Sequence, residues 1–301
     1  VEAWYSCEIH CIKGRARYIL VVPTAHRTFF EGVIYGQYPQ AEITEVEDYT
    51  QRYSWKDLEK KYDLYGTDMI LVDDDYLPIK TYREYEDVLA EEDKFVDPHQ
   101  ALIEAYTNID EGEEFWVQVL IRPIDAKDIS KWEKKGEEAI NTAAGKEVSS
   151  EIGIIGKIVH FITDFPIEMG KVLSSGPGLG GKSRSDSLKF PIVSEADKAR
   201  MDGILRKVSK GGFRTMIRLI YIAPAGKFKK PNISRAIGAF KQFNTFNLNG
   251  FKPDPNMKSN KPNYFFKAWR RYMRKKKVLL YFQWRELGDY ESGYMLSLIH
   301  I

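Results

Sequence analysis

The sequence contains no run of 18 or more apolar residues, so no part of its 301 residues is predicted to cross a bilayer as a helix. It also has only two cysteines, Cys7 and Cys11. Residues four apart on one strand lie roughly 13 Å from each other, which is too far for a disulfide bond. The cysteines therefore give no disulfide framework, as expected for a protein of a reducing compartment.

Residues typical of catalytic and metal sites are equally scarce. The five histidines lack cysteine or carboxylate partners at metal-ligand spacing, and no Gly-x-Ser-x-Gly motif occurs. Acidic clusters such as 73–75 are typical of solvated turns. The sequence therefore predicts no catalytic residue, no metal site and no cofactor, and it favours a protein that is not an enzyme. Carboxylates that are distant in the sequence can still form a catalytic pair in the fold.

The charge of the chain is divided between its two halves. The net charge is only +2, but residues 1–148 hold 17 Lys and Arg against 32 Asp and Glu, a net of −15. Residues 149–301 hold 28 against 11, a net of +17. Two interpretations remain open: the basic half faces an anionic partner, or the two halves bind each other.

Hydrophobic residues make up 43% of the chain, and alternating or short apolar runs mark its secondary structure. Lys13 and Gly14 predict a turn between the first two strands. Asp97 followed by Pro98 is typical of a helix start, and Ser194 with Asp197 resembles a capping box at the start of another helix. The predicted strands are 4–10, 15–22, 41–46, 67–72, 115–122 and 213–222, and the predicted helices are 25–35, 98–108, 194–210 and 233–243.

The order of these elements predicts an α+β fold. Residues 98–123 and 194–224 follow one order of helix, glycine, aromatic residue, strand and proline, as a weak repeat of a split β-α-β fold would. Chance similarity of common elements explains the repeat equally well. The predicted organisation is an acidic strand–helix module at 1–123, a helical and Gly/Ser-rich linker at 124–190, and a basic strand–helix module at 191–301 with a C-terminal cationic helix.

Two segments of the linker have competing interpretations. Residues 176–183 match the phosphate-loop pattern G-x-x-x-x-G-K-S, but no strand precedes them and no helical period follows. A flexible Gly/Ser linker at 174–187 is the favoured interpretation, and a P-loop enzyme is the alternative. Residues 152–173 form an amphipathic pattern interrupted by Pro166, which either packs on its own domain or lies in a membrane interface.

A second amphipathic pattern, at 263–283, is strongly basic. Its helical projection places Phe265, Trp269, Tyr272, Met273, Leu279 and Leu280 on one side, predicted to anchor the helix to the protein. The opposite side is predicted to face outward and to contact nucleic acid or anionic lipid, with a solvated face or an acidic protein as the alternative. The predicted contact residues are Lys267, Arg270, Arg271, Arg274, Lys275 and Lys277.

Several longer phrases carry a family resemblance: 34–50, 76–86, 97–106, 113–123 and 237–253. Together they resemble a poorly characterised family of reduced-genome bacteria, found near genes for type IV secretion or conjugation ATPases. The chain looks like the N-terminal, non-ATPase part of such ATPases. Family members usually begin with a hydrophobic anchor, whereas this sequence starts at Val1, so an anchor is expected upstream.

The resemblance implies a protein that faces the cytoplasm at the inner membrane and binds other proteins of a secretion or conjugation ATPase complex. It carries over no catalytic residue. The predicted function is a non-catalytic structural or adaptor subunit of a type IV secretion- or conjugation-like apparatus, without a small-molecule substrate. The alternative is a nucleic-acid-binding module that uses the cationic helix at 263–283.

Overall fold

The computed structural model describes residues 4–81, 85, 98–143, 194–245, 247–259, 266–287 and 294–297. The strands are β1 (Tyr5–Ile12), β2 (Arg15–Val21), β3 (Tyr62–Leu71), β4 (Glu114–Pro123), β5 (Gly212–Pro224), β6 (Phe251–Pro253) and β7 (Tyr294–Ser297). The helices are α1 (Arg27–Gln37), α2 (Pro98–Thr107), α3 (Ala126–Ala143), α4 (Glu195–Val208), α5 (Lys230–Ala239) and α6 (Lys267–Gln283). Short 3-10 helices lie at Thr24–His26, Tyr49–Arg52, Trp55–Asp57 and Phe240–Phe243.

The strands form one antiparallel sheet in the order β2-β1-β4-β5-β3-β6, with β7 paired to the first residues of β5. β1 and β2 form the predicted hairpin, in which Ile12 lies opposite Arg15. Lys13 and Gly14 between them have φ of 50° and 70°. Positive φ at both central residues is what a two-residue type I′ turn requires, and glycine adopts it at no steric cost.

Helices cover both faces of the sheet because the inner strands carry apolar side chains on both faces. On one face Phe115 and Tyr221 pack with side chains of α2 and α5. On the other face Trp116 and Ile220 pack with α6 and the 3-10 segments before β3. The third buried cluster joins α3 to α4 and is made of Leu77, Trp132, Ile140, Met201, Ile204 and Val208.

Gly66, in the middle of β3, fixes how closely α6 approaches the sheet. A Cβ at this position would overlap the Cγ1 methyl group of Val278 on α6. Glycine weakens a strand interior, and its presence there indicates a close approach by another element. The same glycine interrupts the strand pattern in the sequence, which explains why the predicted strand at 67–72 covers only the second half of β3.

The predicted α+β class is confirmed, and strands of both predicted modules lie in a single sheet. β3, from residues 1–123, lies between β5 and β6, from residues 191–301. β4 and β5 pair over the whole length of β4 at the centre of the sheet. The two predicted modules thus follow one another along the chain. In the sheet, however, strands from the two ranges are hydrogen-bonded to each other and lie side by side.

Most predicted elements are present, but one predicted strand is absent, and α3 and the short strands β6 and β7 were not predicted. Residues 41–46, predicted as a strand, are irregular, and Val46 is 58% exposed. Polar and apolar residues alternate in this segment, but its apolar residues are not buried in a core. α3 was not predicted as a helix, because residues 124–190 were interpreted as a linker. Its buried residues Trp132, Gly136 and Ile140 are spaced four apart and pack on α4. The sequence thus contains the spacing of a helix, but only these few positions carry it.

The N-cap of α4 is confirmed: the amide of Asp197 donates to the Ser194 hydroxyl at 3.1 Å. Two predictions fall on residues outside the described ranges. They are the amphipathic pattern at 152–173 and the phosphate-loop pattern within the Gly/Ser-rich stretch at 174–187.

Candidate functional site

A row of polar side chains crosses the middle of the sheet, under α6. The register places Glu8 of β1 opposite Gln118 of β4, Gln118 opposite Arg218 of β5, and Arg218 opposite Asp68 of β3. All four residues are at most 4% exposed. A buried charge is costly unless it is paired. Within the row Gln118 donates to Glu8 at 2.9 Å and Arg218 donates to Asp68 at 2.6 Å, so both buried carboxylates have a partner in it.

Arg218 and Asp68 form a two-pronged ion pair at the β3–β5 end of the row. The Arg218 Nε and Nη2 atoms donate to the two Asp68 carboxylate oxygens at 2.6 and 3.2 Å. Arg218 Nη1 donates to the backbone oxygen of Glu286, beyond the end of α6, at 3.0 Å. The pair therefore holds the C-terminal end of α6 as well as two neighbouring strands.

Arg285, two residues after α6, ties the same segment to the acidic half. Its Nε donates to Glu8 at 2.9 Å, and its Nη1 and Nη2 donate to the two Asp48 oxygens at 2.8 and 3.1 Å. Burial raises the pKa of Asp48, but hydrogen bonds from Arg285 and Thr50 outweigh it and lower that pKa to about 2. Arg285 has φ of 53°, a backbone conformation that arginine rarely adopts, and these contacts stabilise it.

A second polar cluster surrounds Glu114, the first residue of β4. Its carboxylate accepts from His10 Nε2 at 2.8 Å, Tyr53 Oη at 2.9 Å and Trp116 Nε1 at 2.9 Å. Arg52 Nη2 lies 3.2 Å from it. Burial raises the pKa of Glu114, but these hydrogen bonds outweigh burial and the pKa lies below its usual value. A glutamate that is ionised and accepts from four donors is poorly suited to take a proton, so the geometry favours a structural role.

The inner face of α6 is fixed to the sheet by apolar packing and by one buried lysine. Val278, Leu279 and Phe282 are at most 1% exposed. The Lys275 Nζ atom donates to Asp63 at 2.6 Å and to Glu59 at 2.8 Å, and the Lys275 side chain is only 7% exposed. The prediction that Lys275 faces outward is therefore wrong, because two carboxylates of the acidic half hold it against the protein.

The outer face of α6 combines cations with large apolar side chains. Lys267, Arg270, Arg271 and Lys277 are exposed, as predicted. Arg274 is partly buried, and its Nη1 lies 3.5 Å from the backbone oxygen of Lys258.

The predicted anchoring side of the helix is only partly correct. Leu279 is buried, while Tyr272 and Leu280 are partly buried, and Phe265 lies outside the described residues. Trp269 and Met273 face solvent instead, at 62% and 40% exposure, so their assignment as anchors is wrong.

We call the outward line of side chains on this helix the α6 ridge. Its members lie within about 60° of one line along the helix when positions advance by 100° per residue. Phe266 and Trp284, at the two ends of the helix, are 79% and 63% exposed. The α6 ridge consists of Phe266, Trp269, Arg270, Met273, Lys277 and Trp284.

The residues that orient α6 were missed in the sequence for a physical reason. Ser6, Glu8 and His10 alternate with apolar residues along β1, and such alternation normally indicates a solvated strand face. Here that face is covered by α6, and the polar residues find partners from β4 and from Arg285. The helical projection separated an apolar arc of α6 from a basic arc, but the inward face takes residues from both: Leu279 comes from the apolar arc and Lys275 from the basic arc.

Lys207 on α4 is a further buried titratable group, 1% exposed. Its Nζ donates to the Leu77 backbone oxygen at 3.0 Å, and burial lowers the pKa of this amine to about 7, with Asp75 opposing the shift. The Leu77 oxygen also accepts from the Asn249 side-chain amide at 3.3 Å. Lys207 therefore contributes to the attachment of the loop after β3 to α4.

The described part of the chain contains neither a membrane-spanning helix nor a metal-binding cluster. None of its helices is long and apolar enough to span a bilayer. No cluster of three or more His, Cys, Asp and Glu side chains there is arranged to hold a metal ion. The exposed α6 ridge, on a helix fixed from beneath, is thus the candidate site that the geometry supports best.

Comparison with known proteins finds no matching family model, no matching curated protein and no matching solved structure. The family resemblance stays a prediction from the sequence.

Proposed function

We propose that this chain is a non-catalytic adaptor subunit of a membrane-associated type IV secretion- or conjugation-like apparatus, and that it binds its partner through the α6 ridge. The observation that carries the proposal is the exposure of Phe266 and Trp269 on a helix whose opposite face is held by apolar packing and by the ion pairs of the buried Lys275. Large apolar side chains on a soluble surface are typical of interaction sites, and tryptophan and arginine dominate binding energy in many interfaces.

The rigid support of α6 favours a binding role. Lys275 holds the middle of the helix, while Arg218 and Arg285 hold the segment that follows it. A surface that is already ordered loses little conformational entropy when a partner binds. The identity of the apparatus comes from the sequence resemblance, which suggests a secretion or conjugation ATPase as the protein partner.

The proposal predicts a complex with the type IV secretion-like ATPase of the same organism. We expect the purified proteins to co-elute in size-exclusion chromatography with light scattering. Trp269→Ala together with Arg270→Ala should weaken the complex by about 30-fold or more, as loss of central interface residues does. Phe29→Ala, on a similarly exposed residue of α1, is the matched control and should leave affinity unchanged. Absence of any complex with the ATPase would contradict the adaptor function.

A nucleic-acid-binding module is the second candidate, favoured by the four exposed cations Lys267, Arg270, Arg271 and Lys277. DNA binding measured by fluorescence anisotropy should then weaken at least about 10-fold between about 50 and about 200 mM salt. Reversing these four charges should abolish it, with Lys275 left unchanged because it supports the fold.

A further inference from the structure

We infer that the α6 ridge docks on the surface of an anionic lipid bilayer. The inference rests on the proposed function in that it keeps the membrane-associated apparatus, and it assigns the α6 ridge to the membrane of that apparatus instead of to the ATPase. It begins from the correction of the helix orientation: Trp269 and Met273 point away from the protein together with Arg270 and Lys277.

The shape of the α6 ridge fits a flat partner. From Phe266 to Trp284 it runs about 27 Å along one helix, at 1.5 Å per residue. Residues 266–271 are exposed on every side of the helix, so its first turns stand out from the body. A straight, convex line of side chains can contact a planar surface along its whole length, whereas binding of single-stranded nucleic acid typically uses a groove.

The chemistry of the α6 ridge fits the interfacial region of a membrane. Tryptophan lies preferentially at the level of the lipid headgroups, where its ring is half in apolar and half in polar surroundings. Phe266 and Met273 add apolar surface that offers little to a phosphate backbone. Arginine and lysine beside them can extend their charged ends to the headgroups while their stems stay in apolar surroundings.

The charge of α6 favours an anionic bilayer over a neutral one. The helix contains no aspartate or glutamate between Lys267 and Gln283. Glu59 and Asp63 contact it from beneath, where they pair with Lys275. Arg270 and Lys277 of the α6 ridge remain at the surface, and each cation near an anionic bilayer contributes roughly a fivefold increase in binding.

The first test measures sedimentation of the full chain with two kinds of vesicle. One is made of phosphatidylcholine alone and the other contains about 25% phosphatidylglycerol, a fraction that gives a clear negative surface potential. We expect binding to the anionic vesicles only, and a loss of at least about 10-fold when salt rises from about 50 to about 200 mM, because the charges are exposed.

Two variants separate the contributions of charge and apolar surface. Arg270→Glu with Lys277→Glu, the two cations of the α6 ridge, should abolish binding to the anionic vesicles. Phe266→Ser with Trp269→Ser should lower it at least about 10-fold, because interfacial binding scales with buried apolar area. Phe29→Ser removes an aromatic ring of comparable exposure on α1 and should leave binding unchanged. Far-ultraviolet circular dichroism of each variant should match the parent.

A second measurement needs no variant. Phospholipids brominated on their acyl chains quench tryptophans that reach the bilayer. We expect quenching of the parent protein through Trp269 and Trp284 of the α6 ridge, and a smaller effect in Trp269→Phe, where only Trp284 of the ridge remains; Trp116 and Trp132 are buried in the protein. Binding without quenching, or binding that survives Phe266→Ser with Trp269→Ser, would overturn the inference in favour of a general affinity for polyanions.

Single-stranded DNA is the competing ligand in the same assay. Tight DNA binding with no vesicle binding at low salt would refute bilayer docking and favour the nucleic-acid module. Failure of vesicle binding while the ATPase complex forms through Trp269 and Arg270 would refute bilayer docking alone. In that case the adaptor function stands, with the ATPase as occupant of the α6 ridge.

Discussion

Lys207 is a residue whose titration should control stability in a predictable direction. Burial lowers the pKa of its amine to about 7, whereas an unfolded lysine has a pKa near 10.4. Between these values the unfolded chain binds more protons than the folded protein, so stability rises as pH increases through this window. Below about pH 7 the Lys207 amine is charged in the folded protein as well, and the stability gained at higher pH is lost.

We predict that Lys207→Met removes this dependence. The free energy of unfolding of the parent should rise between pH 7 and 9.5, by at most about 1.4 kcal/mol per pH unit relative to the variant. At pH 7 the variant should be as stable as the parent or more stable. The Leu77 oxygen keeps its hydrogen bond from Asn249, and methionine fills a similar volume. Urea denaturation at the two pH values measures both quantities.

Lys198 supplies the control for this measurement. It lies on the same helix but is exposed, so Lys198→Met should keep the pH dependence of the parent. If the free energy of unfolding changes equally with pH in the parent and in Lys207→Met, Lys207 does not titrate in this range.

At the scale of elements, the packing of α6 on β3 depends on the absence of a side chain at Gly66. We predict that Gly66→Ala destabilises the protein by about 1–3 kcal/mol, because its methyl group would overlap Val278 and force α6 away from the sheet. Shortening the neighbour should relieve the overlap. Val278→Ala should therefore cost less in the Gly66→Ala background than in the parent, with a coupling of about 0.5–3 kcal/mol.

A double-mutant cycle in urea measures this coupling directly. Leu279→Ala is the control, because it shortens the next buried residue of α6, whereas the three atoms nearest to a Cβ at position 66 belong to Val278 and Ile220. Its cost should be the same with glycine or alanine at position 66. A coupling of zero between Gly66 and Val278 would show that α6 adjusts its position without loss of stability.

Local signals in the sequence predicted most elements of this fold. Lys13 and Gly14 marked a hairpin, and Ser194 marked the start of α4, because turns and caps depend on a few neighbouring residues. The orientation of α6 could not be predicted in this way. Its inward arc is defined by Glu59, Asp63 and Gly66, more than 200 residues earlier in the chain, and no local pattern encodes such contacts.

The candidate site shows the same limit. The basic composition of 263–283 identified the correct helix, and Lys267, Arg270, Arg271 and Lys277 are exposed as expected. Periodicity did not reveal that Lys275 is buried, since a lysine is apolar along most of its length and can pack inward when carboxylates receive its amine. The exposed aromatic residues were predicted as core for the complementary reason, because apolar character is the usual sign of burial.

At the scale of the whole molecule, the division of charge corresponds to contacts within the chain. Arg218, Lys275 and Arg285 of the basic half pair with Asp68, Asp63 and Glu8 of the acidic half. The charge division left open whether the two halves bind each other, and in the fold they do. This pairing does not exclude an anionic partner, because the cations of the α6 ridge lie on the other side of the helix.

The interleaved sheet predicts that the two halves need each other to fold. A fragment of residues 1–143 would contain β3 without its neighbours β5 and β6, and a fragment of residues 194–301 would contain β5 without β3 and β4. Each would also carry buried charges without partners, which is strongly destabilising. We expect each fragment alone to be unfolded or aggregated, and the two to form a folded one-to-one complex when co-expressed.

Heteronuclear NMR of the separate and combined fragments distinguishes the possibilities. Dispersed amide signals should appear only for the combination, and Arg218→Ala in the basic fragment should weaken assembly, because Asp68 would be buried without its partner. An exposed substitution on the same fragment, Lys198→Ala, is the control. If either fragment folds alone, the ranges predicted from the sequence are independent domains, and the shared sheet forms by docking of two finished units. If neither does, pairing of β4 with β5 is a step on which the whole fold depends, and the charge division directs the two halves to each other before that pairing occurs.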